Sequence, residues 1–432
     1  MDHLGLDLGT TTISAAVLDA DGRLLCTRTV PGGAAVAGQP WERKQDARGI
    51  EHAALSLLDG LLQEFPDIGC VGLTGQMHGI VYVDAAGQLL SPLYTWQDET
   101  GAQPGPDGKS TAARLTARTG YPLASGYGLV TLACHQAAGT IPNGAAAVCT
   151  IADYLAMRLS GRSAPCLTPS MAASLGLFDG TGFDREAVRR AGLPERLLPE
   201  VSEEAELGGG RLRVFAALGD NQASFLGAGQ GRLDAPLINI GTGSQFSFFT
   251  KEHRTVPGLE TRPFPGGWLL TGAPLCGGRS FALLERFFRQ TAELVTGTPC
   301  PSAYPAMLRA LEAPMPDDVP QFRTTFAGTR QDPAERAVLS GLDEENFAPV
   351  PLLHALLRGM ADELSACYRA ALKAGCAPAG RLLGSGNGLR RNPALQRAVE
   401  RSFGLPLTLA AVPEEAVCGA ALFTRMQHEA AL

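Results

Sequence analysis

The stretch "HLGLDLGTTTISAAVLDADGRLLCTRTV", residues 3–30, sets three apolar runs around two tight turns. "HLGLDLG" and "ISAAVLDA" flank the polar turn "TTT", and Asp21-Gly22 separates the second run from "RLLCTRTV". Asp-Gly between alternating runs is the strongest short-range hairpin signal, so a meander is expected here. "APLINIGTGSQFSFFT", residues 235–250, repeats the device: a buried strand, a Gly-Thr turn, and a second strand with apolar residues at alternate positions. An element that recurs after about 230 residues suggests two related domains, each offering backbone N–H groups from a tight turn, with a ligand cleft between them.

Between the two copies the pattern is α/β. Residues 46–65, "DARGIEHAALSLLDGLLQEF", carry apolar residues at helical spacing, and "CVGLTG" after them reads as a short buried strand. A domain boundary is expected near 228–234, where "GAGQGRLD" is glycine-rich and polar, dividing the chain into 1–228 and 229–432. "GAQPGPDGK" (101–109) and "EAPMPDDVP" (312–320) have the Pro/Gly/Asp content of exposed loops.

Composition bounds the function. With 432 residues, 45% of them hydrophobic and 18% charged, the chain is long enough for two packed domains and too apolar to be disordered. A net charge of −7 leaves no basic face for nucleic acid or an anionic membrane, so any phosphate is held locally. The start "MDHLGLDLGT" lacks a basic region ahead of an apolar run, and no long uncharged apolar stretch follows, so a cytoplasmic address is expected. Ten scattered cysteines, Cys276 among them, show no C-x-x-C pair and no metal spacing with histidine; they read as small core residues in a reducing compartment.

Several short patterns carry chemistry. Asp7 followed by Gly9, Thr10, Thr11 and Thr12 sits at a strand end, where amides and hydroxyls can cradle phosphate oxygens and the carboxylate can hold a magnesium ion. Gly241-Thr242-Gly243-Ser244 has the same composition. Either alone also fits an ordinary hairpin turn; two copies favour phosphate. "RLLGSGNGLRRNPALQRAVERSFGLPL" (381–407) gives a short strand, the loop Gly384-Ser385-Gly386-Asn387-Gly388, and a helix that Asn392 caps and Pro393 begins. Such a loop lets a nucleotide approach the backbone closely, although its glycine spacing is not the dinucleotide one.

Gln76, Met77 and His78 lie between Gly75 and Gly79 at a strand end, where a lone histidine is more often a structural hydrogen-bonder than a site residue. Trp96-Gln97-Asp98 offers an aromatic face with an amide and an acid, suited to a polyhydroxylated ligand or to capping a surface loop. "ALGDNQASFLGAG" (217–229) places one carboxylate, Asp220, at a glycine-flanked turn beside Asn221 and Gln222.

Taken in order, "GLDLGTTT", "GQMHG", "TWQD", "GDNQASF", "NIGTGS" and "GSGNGLRRNP" resemble the motifs of the FGGY carbohydrate kinases, within the sugar kinase/actin/Hsp70 superfamily. The resemblance spans nearly the whole chain and is nearest to sedoheptulokinases, with xylulokinases next. It implies two actin-like, ribonuclease H-like α/β domains facing a central cleft. It also implies ATP-dependent phosphorylation of a ketose, with Asp220 as general base and magnesium held by Asp7.

By the same resemblance Gln76, Met77, His78, Trp96, Asp98, Asn221 and Gln222 meet the sugar. Thr10, Thr11, Thr12, Gly241, Thr242, Gly277, Gly278, Gly384, Ser385, Gly386 and Asn387 meet the nucleotide. Sedoheptulose is the expected substrate, with D-xylulose or another pentulose the alternative. A nucleotide-dependent binding protein of the actin or Hsp70 kind, or an inactive kinase, is the alternative of another class. Two positions depart from the family pattern: Ser14 and Thr100 stand where a basic residue is usual. The expected ligands are a small sugar and ATP; neither oligomeric state nor metabolic pathway is legible in the motifs.

Overall fold

The computed structural model describes residues 1–275, 277–329, 332, 334–412 and 414–430, arranged as two compact units. Cys276 lies outside the described residues. The first unit holds the chain up to Gly231, Pro263–Pro265 and the segment from Glu414 onward; the second holds the rest.

The expected meander opens the first unit. Strands Asp2–Leu8, Thr12–Leu18 and Leu24–Pro31 pair antiparallel in sequence, Leu6 opposite Ala15 and Ala16 opposite Thr27. Gly22, at φ 82°, supplies the left-handed residue of the second turn. The run around "CVGLTG" extends to Ile68–Gly75 and lies parallel to the first strand, with Asp7 beside Thr74 and Leu8 beside Gly75. Strand Arg213–Phe215 then adds parallel to Ile68–Gly75. Helix Ala47–Glu64 is capped by Asp46, whose side chain accepts the Arg48 N–H at 3.1 Å. Its buried residues Ala47, Ile50, Ala54, Leu58 and Leu61 form one apolar stripe.

The second unit repeats this topology. Leu237–Ile240, Ser244–Thr250 and Gly267–Gly272 form an antiparallel meander, Leu382–Ser385 lies parallel to its first strand, and Leu407–Leu409 lies parallel beyond that. The five strands named in each sheet therefore run in the order third, second, first, fourth, fifth, with Glu206–Gly208 beyond the fifth in the first sheet and Glu260–Phe264 beyond the third in the second. Helix Pro349–Lys373 packs Leu353, Leu356, Met360, Leu364 and Tyr368 into the core of this unit. Helix Pro393–Phe403 begins where expected, with Asn392 accepting the Leu395 N–H at 3.1 Å. No described helix is long and apolar enough to cross a membrane.

In one respect the spatial units cut the chain differently from the motif order, which assigned everything after 228 to the second domain. Helix Glu415–Ala430 packs on the first unit, and glycine makes that possible. A Cβ on Gly5 would stand 2.0 Å from the Val417 carbonyl oxygen, and one on Gly72 would stand 2.2 Å from that of Ala420. Helix Asp220–Ala228 meets the same helix through a reciprocal pair. A Cβ on Gly227 would lie 1.9 Å from the Glu415 oxygen, and one on Gly419 would lie 1.8 Å from the Ala223 oxygen.

His3 closes this interface from the strand side. The Thr424 hydroxyl donates to the Ala421 carbonyl and therefore accepts from His3 Nδ1–H at 2.7 Å. Burial, followed by the nearby His428, the N-terminal amine and Arg425, lowers the His3 pKa to about 4. The folded pKa lies below the ordinary 6.5, so the unfolded chain binds the proton more tightly. Stability from this group is fully present above about pH 6.5 and is lost as pH falls toward 4, up to about 3 kcal/mol. Between pH 7 and 4.5, the urea midpoint of a His3→Gln variant is expected to fall less than that of the parent. Equal falls would show that His3 does not contribute.

Candidate functional site

Three strands of the first unit end side by side. Leu8 pairs with Gly75, and the short strand Leu218–Gly219 pairs Leu218 with Thr74 and Gly219 with Gly75. The carboxyl ends of parallel strands are where open α/β sheets bind ligands. Asp7, Gln76 and Asp220 are thereby brought to one edge. Asp220, exposed, is the first residue of helix Asp220–Ala228, whose N-terminal amides favour a carboxylate there.

Three buried polar atoms at this edge have no hydrogen-bond partner among the described residues: Thr74 Oγ1, Gln76 Oε1 and Gln222 Oε1. Buried polar groups are nearly always paired, so unpaired ones grouped at strand ends point to a ligand. Gln222 is fully buried, and its Nε2 donates to the Pro263 carbonyl at 3.0 Å. Gln222 Oε1 and Met77 Sδ meet over Gly219, where a Cβ would lie 2.4 Å from the first and 2.9 Å from the second. Asn221 follows Asp220 in the first helical turn and is half-buried.

Asp7 is half-buried, and its pKa is raised to about 7 by burial first and then by the charges of Asp220 and Glu414. Glu414 is an acid of this site that no motif signalled. Ser14, directly opposite Asp7 in the hairpin, is buried and hydrogen-bonds the Thr29 hydroxyl at 3.0 Å, so it brings no charge to Asp7. The turn above presents Thr10, Thr11 and Thr12, the last two exposed. Among the described residues no three His, Cys, Asp or Glu side chains are grouped as a metal cage. A single carboxylate nevertheless suits magnesium, which keeps several waters and takes phosphate oxygens as its other ligands.

The remaining sugar-side candidates divide. Trp96, 47% exposed, donates its indole N–H to Thr10 Oγ1 at 3.1 Å, which ties the tryptophan loop to the first turn. His78 adopts φ 72°, stacks on Tyr127 at 4.6 Å, and shares a 2.6 Å hydrogen bond between Nδ1 and the Ser174 carbonyl. That acceptor makes Nδ1 the protonated nitrogen. Asp98 is buried with both carboxylate oxygens occupied: one accepts the Arg43 N–H at 3.0 Å, the other the Thr100 N–H at 2.9 Å. In this structure Asp98 and Thr100 shape the loop that carries Trp96.

The second unit builds its own turn cluster. Gly241 N–H bonds the Gly243 carbonyl at 3.0 Å, and the first amides of helix Gly278–Thr296 bond back to the turn, Gly278 to Gly241 and Arg279 to Thr242. A Cβ on Gly277 would lie 2.4 Å from the Gly243 carbonyl, so only glycine fits. Gly386, at φ 87°, approaches the Ile240 carbonyl, where a Cβ would lie 2.5 Å away. Asn239 Nδ2 donates to Ser385 Oγ at 2.9 Å and joins the two parallel strands at their ends. Gly241, Thr242, Gly277, Gly278, Gly384, Ser385, Gly386 and Asn387 thus gather from three chain segments at one sheet edge.

Comparison with known proteins gives the family and the fold. The model of the FGGY family of carbohydrate kinases, N-terminal domain, matches residues 3–230, and that of the C-terminal domain matches 237–428. Sedoheptulokinases of Mus musculus and Homo sapiens are each 28% identical, over 94% and 98% of this chain and 93% and 97% of their own. A crystal structure of xylulose kinase from Rhodospirillum rubrum shares the fold, with a TM-score of 0.81 at 22% identity, covering 99% of this chain and 90% of that one. With both family models matched in order over duplicated sheets, the chain belongs to the FGGY family of carbohydrate kinases, enzymes that phosphorylate sugars with ATP as donor.

Proposed function

We propose that this kinase phosphorylates a ketose, sedoheptulose ahead of D-xylulose, with Asp220 as general base. The observation that carries the reading is the exposed Asp220 carboxylate beside the unpaired buried atoms of Thr74, Gln76 and Gln222. Sugar hydroxyls satisfy such atoms, and Met77, His78, Trp96 and Asn221 complete the sugar side, with Asp98 shaping the loop that carries Trp96. The apolar face of the indole receives the carbon face of the sugar while its N–H stays on Thr10.

Asp220 accepts the proton of the sugar hydroxyl as its oxygen bonds to the γ-phosphorus, and the bond to the β-phosphate oxygen breaks to leave ADP. Thr10, Thr11 and Thr12 hold phosphate oxygens. In the second unit, the turns at Gly241, Thr242, Gly277 and Gly278 and the 384–387 loop are assigned to the nucleotide. Asp7 would hold a magnesium ion, which would supply positive charge near the transferring phosphoryl group. A cytoplasmic address, where ATP and thiols such as the free Cys70 and Cys149 coexist, belongs to the same proposal.

The test is kcat/KM for sedoheptulose, D-xylulose, D-ribulose, L-ribulose and glycerol at one ATP concentration. The two first-named ketoses are expected to lead. A sugar lacking hydroxyls that buried polar groups would bond loses strongly, because those groups are left unpaired. Preference for glycerol or an aldose, or no sugar-stimulated ADP release, would overturn the reading.

A further inference from the structure

Gln45 carries no motif of its own, yet its side chain touches both sides of the candidate site. It lies in the two-residue strand Lys44–Gln45 and is 9% exposed. Its Nε2 donates to the Thr10 carbonyl at 2.7 Å and to the Gly33 carbonyl at 3.3 Å, while its Oε1 accepts from Gln76 Nε2 at 3.0 Å. Two carbonyls on one side and an amide donor on the other set the orientation of the carboxamide. Because Gln45 takes the Gln76 amino group, Gln76 is left with its unpaired Oε1 as the group for a ligand. Thr10 is held twice, at its carbonyl by Gln45 and at its hydroxyl by Trp96.

We propose that Gln45 is a positioning residue that couples the sugar side of the site to its phosphate turn. One carboxamide fixes both the direction in which Gln76 presents its oxygen and the place of the Thr10 backbone. The assignment rests on the proposed roles of Gln76 and of the Thr10–Thr12 turn. Transfer rates depend steeply on such placement, since a shift of about 1 Å can cost about 10²-fold.

Two variants separate the two contacts. Gln45→Leu removes all three hydrogen bonds at similar volume. Gln45→Glu keeps an acceptor for Gln76 but sets an oxygen against the two carbonyls. The readouts are kcat, KM for the ketose and KM for ATP, with a thermal melt of each variant so that assays are run well below its midpoint. Gln45→Leu is expected to lower kcat about 10- to 100-fold and raise the ketose KM several-fold. Gln45→Glu is expected to lower kcat while leaving the ketose KM near that of the parent. Adding Gln76→Leu to Gln45→Leu is expected to change the ketose KM little further, as for residues acting as one unit. If Gln45→Leu lowers only the melting temperature, with kcat and ketose KM within about twofold of the parent, the inference is wrong while the proposed function stands. If the parent itself releases no ADP with any ketose, both fall.

Discussion

Replacing Asp220 by Asn is expected to lower kcat by about 10²–10⁴-fold, the usual contribution of a positioned general base. The fold should survive. Asp220 is exposed in the first turn of helix Asp220–Ala228, and the amide of asparagine is isosteric with its carboxylate. The lost interaction of a carboxylate with the helix N-terminus costs only about 0.3–1 kcal/mol. The ketose KM should move little, because the hydroxyls of the sugar are gripped by neighbours that the substitution leaves in place. Steady-state kinetics with a thermal melt decide the matter. Turnover near the parental rate would remove Asp220 from the mechanism.

The second large effect is on stability. Gly419→Val is expected to destabilise the chain by about 3 kcal/mol or more, as overpacking at a closed backbone contact does. A Cβ there would stand 1.8 Å from the Ala223 carbonyl oxygen, and no side-chain rotation relieves a backbone clash. The two helices must part, and one of them begins with Asp220. Activity should therefore fall with stability. Gly60→Ala is the control: this glycine lies inside helix Ala47–Glu64, has open space at its Cβ position, and should gain about 0.5–1 kcal/mol from helix propensity. Urea unfolding of the two variants should differ in sign; a Gly419→Val midpoint equal to the parent would show that the helices are not held as described.

Much of this was legible in the sequence. Alternation of apolar residues and the turns at "TTT", Asp21-Gly22 and "GTG" gave the first meander and the first two strands of the second, because strand period and turn chemistry are local properties. The cap at Asn392 was legible for the same reason. Three features were not. Helix Asp220–Ala228 has too little apolar periodicity to announce itself, so Asp220 read as an acid in a turn. The packing of Glu415–Ala430 on the first unit depends on Gly5, Gly72 and Gly227, residues far away in sequence whose meaning appears only once they are paired. Gln45 and Glu414 likewise act through partners distant along the chain. Asp98 was legible as a polar residue of the tryptophan loop, but composition carries no sign that backbone amides occupy its carboxylate.

The glycine-mediated docking of Glu415–Ala430 also bears on biosynthesis. During translation the strands of the first meander leave the ribosome several hundred residues before the helix that covers Gly5 and Gly72 is made. Until then the strand face at those glycines, and the helix that starts at Asp220, lack their covering partner. Contacts of such long sequence separation close late and slowly. Emergence of helix Glu415–Ala430, rather than synthesis of the meander, is the event that assembles the surroundings of Asp220.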